Sequence, residues 1–218
     1  MAGGRLGRGC FVVFEGIDGA GTTTQVERLA RRLRGERRVV HITREPSDGP
    51  LGVQLRLALS GRLSLGSVNQ AHAMALLFAA DRLDHLDHEI LPHLRDGAVV
   101  LSDRYDLSSL AYQWASAGAE ADTEQLLDWL RTLNRYARRP DATIVLDVSA
   151  SVAEQRRLER RGAVELYEVA TLQARLTEIY RDAERLVPND RVIHIDSEQP
   201  VDEVEAAVLR ELGPLLAP

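Results

Sequence analysis

Phe11-Val-Val-Phe-Glu-Gly-Ile-Asp-Gly-Ala-Gly-Thr-Thr-Thr-Gln25 is a short apolar run that stops at glycines and restarts as polar, helix-ready sequence. The phosphate-loop template of glycine, four residues, glycine, lysine and then serine or threonine falls on Gly16, Ile17, Asp18, Gly19, Ala20, Gly21, Thr22 and Thr23, with Thr22 where the lysine belongs. Gly16, Gly19 and Gly21 admit backbone angles closed to other residues, so successive N–H groups can turn inward around phosphate oxygens. A helix starting near Thr22 adds its N-terminal dipole, and Thr23 offers a hydroxyl to a magnesium ion held beside the phosphates. Thr22 is too short and uncharged to reach over terminal phosphates as a lysine does. The competing reading is a glycine-rich turn that merely joins a buried strand to a helix.

The surrounding composition narrows the setting. A chain of 218 residues supports one sizeable core, and a net charge of -6 argues against nucleic acid or an anionic membrane surface as the main partner. Every one of the 27 basic residues is arginine, so Thr22 belongs to a chain-wide absence of lysine. Coding bias explains that on the surface, but at a phosphate contact the two cations are not interchangeable. The single cysteine, Cys10, begins an apolar run and reads as a buried thiol in a reducing cytoplasm. Residues 1–9 read as a flexible, glycine- and arginine-rich leader, and the apolar run after them is too short for the core of a signal peptide. No stretch approaches the length of a membrane span.

Five continuous apolar, β-branched runs, at Cys10 to Phe14, Arg38 to Thr43, Ala98 to Ser102, Thr143 to Val148 and Arg191 to Ile195, read as strands buried on both faces. Helical patterns lie between them, at Thr23 to Arg34 and Ser67 to His88, the latter opened by a capping box of Ser67 with Gln70. The expected fold is therefore α/β, a five-stranded parallel sheet with helices on both faces, in one domain over residues 10–218.

Ligands of such sheets bind at the carboxyl ends of the strands, where several polar groups of this sequence gather. Arg44 and Glu45 follow the second strand, and Pro46 holds Glu45 extended, either after a cis bond or in a plain turn. Arg56 lies a helical turn or more downstream, as a partner at the same place or a surface arginine. Asp103 and Arg104 follow the third strand beside the phosphate loop, where an aspartate can hold magnesium and an arginine can grip a phosphate with two parallel hydrogen bonds. Ser109, Tyr112 and Gln113 follow at helical spacing, and Phe78 and Arg82 share one helix face. Arg156, Arg157, Arg160 and Arg161 form the densest positive cluster, either a solvated face or a mobile cover over the transferred group at residues 150–168. His85, His88 and Glu89 read as a wet helix face, and no transition-metal site is assigned.

Taken together, Phe-Glu-Gly-Ile-Asp-Gly-Ala-Gly at 14–21, Thr-Arg-Glu-Pro at 43–46, Leu-Phe-Ala-Ala-Asp-Arg at 77–82, Asp-Arg-Tyr-Asp-Leu-Ser-Ser-Leu-Ala-Tyr-Gln at 103–113 and Ile-Asp-Ser-Glu-Gln-Pro at 195–200 resemble the thymidylate kinase family. The resemblance implies a three-layer P-loop NTPase-type fold, a cytoplasmic homodimer, and magnesium-dependent transfer of the γ-phosphate of ATP to dTMP. It further implies that Phe78 stacks on thymine, that Arg82 hydrogen-bonds its edge, that Ser109 and Gln113 flank the base and that Tyr112 sits under the deoxyribose. Arg104, with Arg44 or Arg56, would hold the acceptor phosphate. Asp18 and Asp103 would face acceptor and metal, Glu168 would join them, and the loop after Ile195 would lie near adenine.

The sequence departs from the family pattern at Thr22, at Ser47-Asp48-Gly49, at Val53 and at Glu165-Leu166, mostly where phosphate is handled. These departures leave two other readings: a catalytically weak nucleotide-binding paralogue acting as a regulatory or structural dimer, and a kinase for another nucleoside monophosphate. If the enzyme is active, one of the four clustered arginines is expected to supply the charge missing at Thr22.

Overall fold

The computed structural model describes residues 9–66, 70–116, 123–161 and 167–217, with side chains left out at 123, 160, 161 and 167–170. Five strands, β1 (Cys10–Glu15), β2 (Val40–Arg44), β3 (Val99–Asp103), β4 (Ala142–Asp147) and β5 (Val192–Asp196), form one sheet of order β2-β3-β1-β4-β5. All four pairings are parallel. Every residue of β1 is buried, as the continuous apolar run requires of a strand packed on both faces.

Alternation along β1 divides the core between the two faces. Val12 and Phe14 join the larger core with Leu29, Leu110, Leu130 and Val208, whereas Phe11 and Val13 pack with Leu86, Ile90, Leu94 and Val100. The α-helices among the described residues are α1 (Thr22–Gly35), α2 (Pro50–Leu59), α3 (Gln70–His85), α4 (Leu91–Arg95), α5 (Asp106–Ser116), α6 (Thr123–Leu133), α7 (Ala150–Arg161), α8 (Tyr167–Arg181), α9 (Ala183–Leu186) and α10 (Val201–Leu216). Burial of Cys10 is confirmed, and desolvation raises its thiol pKa to about 11.

One helix differs from its sequence reading. The pattern at 67–88 holds as α-helix only to His85, after which a π-turn (Leu86–Ile90) leads into α4. The wider turn brings Leu86 and Ile90 into the second core, both buried, at the cost of regular α-helical bonding. The capping residue Ser67 and leader residues 1–8 lie outside the described residues.

Chain order places the loop after β1 at the centre of the carboxyl edge. The chain first builds the β2 and β3 side of the sheet and then crosses to β4 and β5. That reversal is where open parallel sheets bind ligands.

Candidate active site

The phosphate loop runs from Gly16 to Thr23, and its shape depends on glycine. Gly19 has φ 99°, and a Cβ there would lie 2.4 Å from the carbonyl oxygen of Ala153. Both the left-handed backbone and the close approach of α7 exclude a side chain. Gly21 is the left-handed N-cap of α1, whose first residue is Thr22. Thr22 is buried and uncharged.

Thr23 donates its hydroxyl to Asp103 Oδ2, joining the start of α1 to the end of β3. Asp103 Oδ1 is buried with no hydrogen-bond partner. An orphaned carboxylate oxygen beside a threonine hydroxyl and a phosphate loop fits magnesium, which typically takes one or two protein oxygens and completes its shell with phosphate and water. Among the described residues, no group of three or more histidine, cysteine, aspartate or glutamate side chains forms an all-protein metal site.

Arg104 follows immediately, with φ 74°, a conformation rare for a side chain with a Cβ. Its N–H donates to the Phe14 carbonyl at 2.9 Å, tying the turn to β1. Its guanidinium donates to Asp18 Oδ1 at 2.6 Å and Ser108 Oγ at 3.0 Å, and lies over the Tyr112 ring at 5.3 Å. Asp18 is braced from the other side: Gln173 Oε1 accepts from its backbone N–H at 3.3 Å and Gln173 Nε2 donates to its carboxylate at 3.4 Å. Gln173 is buried on α8 and carries no sequence motif that would have singled it out.

Two cavities meet at these residues. One, of about 390 Å³, is lined by the loop with Thr22 and Thr23, and by Arg44, Asp103 and Arg157. The other, of about 640 Å³, is lined by Phe78, Tyr105, Ser109, Tyr112 and Gln113 among others. Asp18, Glu45 and Arg104 line both. Both volumes lie in the range of small-molecule sites, and the larger is walled by three aromatic rings and a few polar groups, as a nucleoside requires.

Arg82 is placed differently from the other expected site residues. Its guanidinium is 1% exposed and lines neither cavity. It pairs with Glu45 at 2.6 Å and donates to Ser109 at 2.9 Å and to Asn134, leaving its buried Nε–H without a partner. The buried pair fixes the Glu45 carboxylate at the wall shared by the two cavities. Glu45 precedes a cis peptide to Pro46.

His85 corrects its reading as part of a wet face. It is buried, with Nε2 at 2.7 Å from Thr43 Oγ1 and Nδ1 at 3.3 Å from Glu45. Glu89 is partly buried against His41. The π-turn and the tight fit against β2 turn His85 and Glu89 inward, which periodicity alone did not reveal, while His88 stays exposed as expected.

Arg44 and Arg56 share Asp48, at 3.1 and 3.4 Å. Only Arg44 lines the phosphate cavity; Arg56 donates to the carbonyls of Pro46 at 3.0 Å and Ser47 at 2.5 Å. Arg156 donates to the Ser197 carbonyl at 2.8 Å, in a separate cavity with Gly21, Thr24 and Gln199. The side chains of Arg160, Arg161 and Glu168 lie outside the described residues.

The sequence reading missed Glu15, the last residue of β1, hidden because it continues an apolar run. Its carboxyl accepts from the N–H groups of Tyr105 at 2.8 Å and Ser108 at 3.1 Å, and from the hydroxyls of Ser108 at 2.5 Å and Tyr180 at 3.0 Å. Burial raises its pKa to about 7, against the opposing pull of Arg104 and these donors. A carboxyl whose folded pKa is raised binds a proton that the unfolded chain has already lost, so its contribution to stability falls as pH rises from about 4.5 to about 7. Relative to Glu15→Gln, the native protein should therefore lose stability across that window. Denaturant unfolding at pH 5, 6, 7 and 8 checks this; a constant difference between the two proteins would contradict it.

A sequence model of the thymidylate kinase family matches residues 14–208. A probable thymidylate kinase of Pyrobaculum aerophilum is 40% identical over 200 residues, covering 91% of this chain and 93% of that protein. A thymidylate kinase of Bifidobacterium longum is 38% identical over 217 residues, covering 95% and 98%. With a phosphate loop at the sheet's switch point and a nucleoside-sized cavity joined to it, the chain belongs to the thymidylate kinase family, whose members are ATP-dependent nucleoside monophosphate kinases.

Proposed function

We propose that this chain transfers the γ-phosphoryl group of ATP to dTMP, giving dTDP and ADP, with dTMP in the larger cavity and the triphosphate in the smaller. The observation that carries this assignment of the cavities is their shared wall of Asp18, Glu45 and Arg104. Phosphoryl transfer needs little covalent chemistry from the protein; it needs two phosphates aligned and their charge neutralised. A phosphate monoester with second pKa near 6 is largely dianionic at neutral pH, so its oxygen attacks the γ-phosphorus without a protein base. The bond from the γ-phosphorus to the β,γ-bridging oxygen breaks, and ADP leaves.

The residues then take these roles. Arg104 and Arg44 hold the acceptor phosphate, and Asp18 aims Arg104. Phe78 stacks on the base, Ser109 and Gln113 meet its polar edge, and Tyr112 closes the sugar side. Arg82 acts through Glu45 and Ser109, holding both at the wall of the larger cavity. Gly16 to Thr23 wrap the donor phosphates, and Gln199 with the loop after β5 borders the donor base. Thr23 and Asp103 would hold Mg²⁺, which would supply charge neutralisation for the donor phosphates.

The protein is further proposed to act as a cytoplasmic homodimer. Leu76 and Leu83, seven residues apart on α3, and Val53 and Leu57 on α2 are exposed apolar residues at helical spacing, as an interface face requires. Among the described residues, no helix is long and apolar enough to cross a membrane.

A coupled assay of ADP release with ATP, Mg²⁺ and dTMP, dUMP, dCMP or dGMP tests the reading. Turnover is expected with dTMP foremost. Absence of turnover with every acceptor, alongside tight dTMP binding, would instead support a nucleotide-binding paralogue.

A further inference from the structure

The phosphate loop brings no cation of its own. Thr22 occupies the position where a lysine would reach the terminal phosphates, and the chain contains no lysine. Backbone N–H groups and a helix dipole remain, but neither carries the full positive charge that a transferring phosphoryl group calls for.

The compensating charge sits on another element. α7 lies directly over the loop, with the Ala153 carbonyl against the Cβ position of Gly19. Arg157 is one helical turn beyond Ala153, on the same side of α7, and lines the phosphate cavity with Gly19, Gly21, Thr22 and Thr23. Its Nη1 is buried and has no hydrogen-bond partner. A buried guanidinium N–H without an acceptor is unfavourable and rare, and an anionic oxygen in the cavity would satisfy it.

The other arginines of this region have partners within the chain. Arg44 pairs with Asp48, Arg104 with Asp18 and Ser108, and Arg156 with the Ser197 carbonyl. Among the described residues, Arg157 is the arginine of the phosphate cavity that has a buried donor without a partner.

We infer that Arg157 replaces the phosphate-loop lysine, placing its guanidinium on the β- and γ-phosphates of ATP from the covering helix α7. The inference rests on the ATP-to-dTMP reading above. It makes anchoring of the triphosphate depend on α7, so loop and helix form one donor site. It also separates Arg157 from Arg156, whose guanidinium is held by the loop after β5.

The test is a charge transplant. Arg157→Ala should lower kcat by about 10²- to 10³-fold. It should weaken a non-hydrolysable ATP analogue by about tenfold in calorimetry, while dTMP affinity stays within about twofold, the latter also showing that the variant folds. Arg157→Ala combined with Thr22→Lys should recover at least about tenfold of the lost kcat and most of the analogue affinity, because lysine then reaches the same phosphates from the loop. Full activity and analogue affinity in Arg157→Ala would overturn the inference. So would failure of Thr22→Lys to improve either quantity in a double variant that still binds dTMP. An inactive wild-type protein would instead overturn the functional reading on which the inference rests.

Discussion

Replacing Asp103 with asparagine is expected to lower kcat for dTMP phosphorylation by about 10²- to 10³-fold, or about 3 to 4 kcal/mol of transition-state stabilisation. The argument begins with β3, whose apolar residues bury it and whose last residue emerges at the carboxyl edge. There Asp103 accepts from the Thr23 hydroxyl through Oδ2 and leaves Oδ1 buried and unpartnered. In a chain without lysine, a cation recruited by this carboxylate would be one of few positive charges close to the donor phosphates. Asparagine preserves size and the bond to Thr23 but removes the charge, so the site should lose magnesium affinity rather than shape. Steady-state rates across a magnesium titration check this: the variant should require much more magnesium for half-maximal rate, and dTMP binding should stay within a few fold. Wild-type kcat and magnesium dependence in Asp103→Asn would remove Asp103 from the metal's ligands.

The second large effect belongs to Arg104. Arg104→Ala should reduce kcat/KM for dTMP by about 10³-fold, with the loss divided between KM and kcat. Arg104 is the cation that faces both cavities, held by Asp18, Ser108 and the Tyr112 ring. Its backbone sits at φ 74°, a conformation that an ordinary turn would fill with glycine or asparagine. An arginine kept there against that preference marks a side chain needed for its charge and direction. Arg104→Lys keeps the charge but not the planar fork, and should recover only part of the loss. Equal kcat/KM in wild type and Arg104→Ala would exclude Arg104 from the acceptor clamp. Thermal denaturation separates this from unfolding, because alanine retains the turn geometry while removing the paired guanidinium.

Much of the fold was legible because continuous apolarity reports burial on both faces, and all five runs became strands within one or two residues of the expected ends. The phosphate loop was equally legible, since glycine spacing between a strand and a helix is a local signature. Residues that act through long-range contact were not. Glu15 looked like the polar end of a strand until α5 and α8 brought donors to its carboxyl. Gln173 is separated from Asp18 by 155 residues, and nothing in its own neighbourhood marks it. His85 looked like part of a wet helix until the π-turn and β2 enclosed it. The buried Arg82–Glu45 pair likewise needed two distant segments to meet before either residue's role could be read.

Thr22 shows the same division within a single motif. The sequence by itself determined the alternation of strands and helices, the backbone of the phosphate loop and the absence of its lysine, because periodicity, glycine spacing and composition are properties of neighbours along the chain. Only the tertiary structure decided how Arg156 and Arg157, the two of the four clustered arginines whose side chains are described, sit relative to that loop. Helical spacing groups arginines on a face, but the packing of α7 against Gly19 puts Arg157 in the phosphate cavity, and Arg156 bonds the Ser197 carbonyl in a separate one. A charge missing from a loop can be supplied from any element that folds over it, and only the packing of the elements says which one does.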